Sequence, residues 1–95
     1  MSAKRDRTRY HLFISGRVQM VGFRAFTSRR ASEIGIDGWV RNLPDGRVEA
    51  VLEGEEDRVT AMLEELNRGP SAARVKDVEL VEEEPAGING FRVKY

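Results

Sequence analysis

The spacing of apolar residues changes abruptly within one short stretch of this 95-residue chain, and that change limits the folds open to it. Before the stretch, Tyr10, Leu12 and Ile14 alternate with Arg9, His11 and Phe13, the period-two pattern of a half-buried strand over residues 8–15. After it, Phe23, Phe26, Ala31 and Ile34 recur near one face of a helix that stops at Gly35. The stretch between them reads Gly16-Arg17-Val18-Gln19-Met20-Val21-Gly22-Phe23-Arg24.

The pattern then repeats in outline. Residues 36–43 and 47–52 read as two strands around Pro44-Asp45-Gly46, whose residue types favour a tight reversal. Val59, Met62, Leu63 and Leu66 follow the i, i+3, i+4, i+7 rule of an amphipathic helix. Its first turn holds Glu55, Glu56 and Asp57, and Gly69-Pro70 ends it. Residues 73–83 form a strand whose alternation slips between Val75 and Val78, the mark of a bulge. The chain closes over residues 88–95, with Phe91, Val93 and Tyr95 alternating. Strand, helix, strand, strand, helix, strand is the ferredoxin-like α+β order. The expected fold is a four-stranded antiparallel sheet with two helices on one face. Residues 1–7 form a flexible polar tail and residues 8–95 one domain.

Composition removes several kinds of chemistry. With no cysteine and a single histidine, His11, the chain offers neither a thiolate nor a multi-histidine metal site. Lys+Arg and Asp+Glu are both 16, so the whole chain attracts neither nucleic acid nor membrane, and any affinity for anions must be local. No apolar run approaches the roughly 18–20 residues of a membrane span, and the N-terminus lacks the apolar core of a signal peptide. A cytoplasmic domain is the expectation.

A local anion site is what the stretch before the first helix offers. Helix N-termini expose unpaired N–H groups and carry about half a positive charge, so cations are normally disfavoured there. This helix nevertheless opens with Arg24 and has no acid before Glu33, whereas the second helix opens with three acids. An exposed cation so placed costs about 0.3–1 kcal/mol, and a bound dianion reverses the sign of that cost. Free loop amides, a positive helix end and guanidinium groups together suit phosphate.

These residues give the chain a family resemblance. From Tyr10 to Tyr95 it resembles the acylphosphatases, through the stretch from Gly16 to Arg24, then Gly38-Trp39-Val40-Arg41-Asn42, then Gly46-Arg47-Val48-Glu49 with Gly54. The resemblance implies a hydrolase that splits acyl phosphates into a carboxylate and inorganic phosphate with no metal and no other cofactor. Its phosphate-binding arginine maps onto Arg24 and its water-orienting asparagine onto Asn42. The phosphate would lie on the amides of Gln19, Met20, Val21, Gly22 and Phe23, held by Arg24. Partners are then a small-molecule acyl phosphate and inorganic phosphate, as product and competing ligand; neither nucleic acid nor membrane is expected, and the protein is a monomer. The family usually carries glycine where this chain has Met20. Methionine there either keeps a negative φ or distorts the cradle, since a left-handed L-residue costs about 1–2 kcal/mol.

Other residues have simpler readings. His11 is a lone strand histidine with a structural role, and Asp45 forms a turn. Arg17 adds local positive potential, and Arg41 and Arg47 lie on the strand surface. Tyr10, Phe13 and Trp39 belong to the core rather than to a stacking surface for bases. Three alternatives remain: an acylphosphatase-like module that binds anions without hydrolysing them, motivated by Met20; an RNA-binding domain of the same topology; and a carbamoyl-phosphate-handling domain of a larger maturation protein.

Overall fold

A computed structural model describes residues 7–95. The expected polar tail falls outside them except for Arg7, which opens the first strand. The elements run β1 (Arg7–Arg17), α1 (Phe23–Ile34), β2 (Asp37–Asn42), β3 (Val48–Glu55), α2 (Glu56–Arg68), β4 (Arg74–Glu83) and β5 (Phe91–Lys94). They form one sheet in the order β4-β1-β3-β2-β5, with both helices packed against it.

The α+β, ferredoxin-like reading holds, with one strand more than expected. The first four strands pair antiparallel. The closing segment adds a fifth at the edge, parallel to β2, with Gly38 opposite Phe91 and Val40 opposite Val93. A four-residue edge strand is too short to declare its partner in sequence. Its position is set by three hydrogen bonds from the preceding loop. Glu53, fully buried, accepts from the backbone N–H groups of Ala86 at 3.1 Å and Gly87 at 2.7 Å. Asp37 accepts from the Gly90 N–H at 2.9 Å. This strapping carries the chain from the β4 edge past β3 to the opposite edge beside β2, and delivers Val93 and Tyr95 beside α1.

The core lies between the sheet and the helices. Leu12 and Ile14 of β1, Val40 of β2, and Val48, Ala50 and Leu52 of β3 meet Phe23 and Ala31 of α1 and Val59, Met62 and Leu66 of α2. Thr27, also buried, donates its hydroxyl proton to the Phe23 carbonyl at 2.8 Å and so leaves no orphan there. The bulge expected between Val75 and Val78 is present: Ser15 pairs with Asp77 and Gly16 with Val75, so Lys76 is the extra residue. Gly16 has φ 123°, and a Cβ on it would stand 2.1 Å from the Arg74 carbonyl oxygen. Only glycine lets β1 pass the bulge so closely before turning into the loop that follows.

The opposite face of the sheet corrects one expectation. Tyr10 packs against the core, but Phe13 and Trp39 do not belong to it. Strand alternation dictates this, because Leu12, Ile14 and Val40 face the helices and their neighbours must face away. On that outer face Arg47 lies 5.1 Å over the Phe13 ring, and Lys94 and Arg41 lie 4.2 Å and 5.5 Å over Trp39. Cations rather than a helix cover these rings.

His11 lies among them, between two carboxylates. Its ring nitrogens are 2.6 Å from Glu49 and 2.8 Å from Glu83, while Arg41 binds Glu49 at 2.6 Å and Arg9 joins Glu83 to Glu53 at 2.9 Å and 3.0 Å. Burial works against the imidazolium, but the bonds to Glu49 and Glu83 prevail and raise the pKa of His11 above its ordinary 6.5. Burial likewise works against an ionised Glu49, yet bonds from His11 and Arg41 hold its pKa below the ordinary 4.5. A raised histidine contributes stability that is complete below about pH 6.5 and fades as pH climbs through its folded value. The lowered carboxylate contributes above about pH 4.5 and fades as pH falls through its own. The urea midpoint of the protein should therefore drop between pH 6 and pH 9, and His11→Gln should flatten that drop. An equal drop in the variant would assign the effect to other groups.

Candidate active site

The residues from Val18 to Gly22 leave β1 and enter α1 by a turn with two left-handed positions. Met20 has φ 63° and Gly22 has φ 78°, while Val21 between them is not left-handed. Such alternation directs successive N–H groups toward one side, forming a concavity for an anion. Gly22 is the N-cap of α1 and no side chain caps it. The amides of the first helical turn therefore stay open to a ligand. Val18 and Phe23, at 1% and 2% exposure, anchor the two ends of this loop in the core.

Met20 answers the question raised by the resemblance. It is left-handed rather than at negative φ, so the first of the two alternatives fails and the chain bears local strain there. It is the only described residue other than glycine with positive φ.

Gln19 has a function that its sequence position did not announce. Its carboxamide nitrogen donates to the carbonyl of Leu43 at 2.8 Å and to that of Arg47 at 2.9 Å. Those carbonyls flank the turn of the β2–β3 hairpin. The turn itself is closed by the Leu43 N–H on the Arg47 carbonyl at 2.8 Å, and the Asp45 carboxylate accepts from the Arg47 backbone N–H at 3.1 Å. Asp45 is thus a turn residue, as expected. Gln19 fastens the loop of β1 and α1 to the hairpin whose strand β2 ends at Asn42.

That tie brings the two sequence-predicted residues together. Arg24 and Asn42 line one cleft of about 480 Å³ at the start of α1, together with Gly22 from the loop, Phe23 of α1, Val93 of β5 and Tyr95 just beyond it. The Arg24 guanidinium lies 4.7 Å over the Tyr95 ring and has no carboxylate partner among the described residues. The Asn42 Oδ1 is buried and has no hydrogen-bond partner among them either. A buried acceptor left unpaired costs about 1–3 kcal/mol, so its persistence points to use. One cleft therefore presents an unpaired cation, open helix amides and an unspent acceptor.

The remaining candidates lie elsewhere. His11 does not line this cleft; it sits on the far side of the sheet, bonded to Glu49 and Glu83. Arg41 and Arg47 are spent on Glu49 and Asp45 at 2.6 Å and 2.8 Å. Arg17 is exposed at the end of β1, across from Arg74. Ser28 and Arg29, one turn further along α1, also border the cleft, and helical spacing from Arg24 was the signal that could have found them.

Comparison with known proteins identifies the family. The acylphosphatase family matches the chain over residues 10–93. An acylphosphatase of Thermococcus kodakarensis is 56% identical, over 92% of this chain and 96% of its own length. One from Trichormus variabilis is 57% identical, over 90% of this chain and 85% of its own. Among solved structures, an acylphosphatase from Coxiella burnetii superposes with a TM-score of 0.91 at 36% identity, covering 98% of this chain and all of its own. HypF from T. kodakarensis is also similar, at 38% identity and a TM-score of 0.82, but this chain spans only 12% of it. With the family matched over nearly its whole length and relatives more than half identical, the chain belongs to the acylphosphatase family.

Proposed function

We propose that this protein hydrolyses acyl phosphates to a carboxylate and inorganic phosphate by in-line attack of water, without a metal or other cofactor. The observation that carries the reading is the meeting, in one cleft, of the unpaired Arg24 with the buried, unpartnered Asn42 Oδ1. An acyl phosphate is an activated anhydride whose carboxylate leaves readily. The enzyme needs mainly to position the phosphoryl group and balance its charge. The amides of Gln19, Met20, Val21, Gly22 and Phe23 receive phosphoryl oxygens, and the planar fork of Arg24 donates two parallel hydrogen bonds to them. Asn42 accepts a hydrogen bond from the attacking water and aims it at phosphorus, opposite the acyl oxygen. Water oxygen bonds to phosphorus as the P–O bond to the acyl group breaks. The electron pair leaves with the carboxylate, and the water proton passes to the phosphate oxygens.

The rival reading of a binding module rested on Met20. Its φ of 63° lies in the left-handed region that glycine also occupies, and that supports hydrolysis over a disabled cradle. The cytoplasmic, monomeric setting and the lack of a nucleic-acid partner belong to the same proposal. The test is hydrolysis of benzoyl phosphate with and without excess chelator. Turnover at equal rates in both is expected. No release of phosphate overturns the reaction, and loss with chelator overturns its metal independence.

A further inference from the structure

The phosphate cradle accounts for only part of the cleft, and the remainder has a character of its own. A phosphoryl group fills a small part of a cleft of about 480 Å³, a volume in the ordinary range for small-molecule sites. Two large apolar or aromatic side chains of the described residues are almost wholly open to solvent: Met20 at 100% and Tyr95 at 98%. The next, Val81 and Leu80, are about half as exposed and belong to β4. Both of the open side chains border the cleft that holds Arg24 and Asn42, with Val18 and Val93 lining it as well.

Met20 makes the point more sharply. A glycine would serve the left-handed loop without strain, and an exposed methionine gains no burial to offset its φ of 63°. Its side chain therefore has no part in holding the fold, and the surface it offers lies at the mouth of the cleft. An acyl group bonded to a phosphate held at Arg24 must extend out of the cradle, where these two side chains are the open walls. The long, polarisable thioether adapts to an aromatic edge. The Tyr95 ring has one face on the Arg24 guanidinium, 4.7 Å away, and is otherwise open.

We propose that Met20 and Tyr95 form an acyl subsite, which selects acyl phosphates whose acyl group is broad and apolar, aromatic acyl groups above all. This rests on the reaction proposed above and names its substrate class. Covering two exposed hydrophobic side chains with an aromatic acyl group gives a preference that a methyl group cannot, because the gain scales with the apolar area removed from water.

The experiment compares benzoyl with acetyl compounds, so that any change in the shared cradle cancels in the ratio. Calorimetry with benzoylphosphonate and acetylphosphonate, which do not hydrolyse, gives the ratio of affinities. Hydrolysis of benzoyl phosphate and acetyl phosphate gives the ratio of kcat/KM. Wild-type protein should favour the benzoyl compound about tenfold or more in both. Met20→Gly, which relieves the strained backbone and so keeps the fold, should cut the preference about fivefold. Met20→Leu should retain most of it, Tyr95→Ala should reduce it, and Tyr95→Phe should restore it. A preference equal in wild type, Met20→Gly and Tyr95→Ala overturns the subsite. Wild-type protein that discriminates between the phosphonates but hydrolyses neither acyl phosphate supports the subsite and overturns the reaction.

Discussion

Arg24→Ala should sharply reduce phosphate binding and turnover together while leaving the protein folded. The guanidinium is the only cationic group in the first turn of α1 and has no carboxylate partner among the described residues, so its charge is free for a ligand. Removing a charged donor that stabilises a transferring phosphoryl group costs on the order of 10³-fold or more in rate. Inhibition by inorganic phosphate should weaken by about 10²-fold, the loss of a paired charge-assisted contact. The fold should not suffer. A cation at a helix N-terminus is unfavourable by about 0.3–1 kcal/mol, and alanine is the better helix former there. The lost contact with the Tyr95 ring offsets about 0.5–1 kcal/mol of that gain. In phosphate-free buffer the melting temperatures of variant and wild type should nearly coincide. Added phosphate should raise that of the wild type alone, because a ligand stabilises the state that binds it. Retained phosphate affinity in the variant would refute the assignment of Arg24. Arg24→Lys should restore charge without the planar fork and recover only a small part of the rate.

Asn42→Ala should separate what Arg24→Ala removes at one stroke. If the carboxamide orients water, the variant loses about 10²-fold or more in kcat while inhibition by phosphate changes by less than about threefold. Stability should hold or rise slightly, since a buried acceptor without a partner disappears with the side chain. Weakened phosphate inhibition with little change in kcat would instead make Asn42 a binding group. The two substitutions together therefore divide the site into a part that grips the phosphate and a part that aims the nucleophile.

Much of the fold is legible in the chain because its periods are unambiguous. Leu12 and Ile14 alternate before the loop, and Val59, Met62 and Leu66 keep helical spacing; all five are fully buried. The slip between Val75 and Val78 marks a true bulge, since an extra residue must break a period of two. The fifth strand is not legible in this way. Phe91 and Val93 alternate over a segment too short to choose a partner, and Glu53 and Asp37 make the choice from a distance in the chain. Phe13 and Trp39 look like core residues because aromatic content says nothing about which side of a sheet a strand residue faces. That depends on which face the helices cover.

The chain alone determines the composition of the site: an arginine where a helix dipole disfavours one, an asparagine at a strand end, and a loop that turns through Gly22. These are local properties, set by helix electrostatics and backbone sterics, and they can be read without neighbours. Whether the two side chains share one cleft is decided only in three dimensions. The Gln19 carboxamide ties the loop to the hairpin, and the strapped β4–β5 connection brings Tyr95 onto Arg24. Such contacts join residues far apart in the chain, and their formation depends on the packing of every element between them.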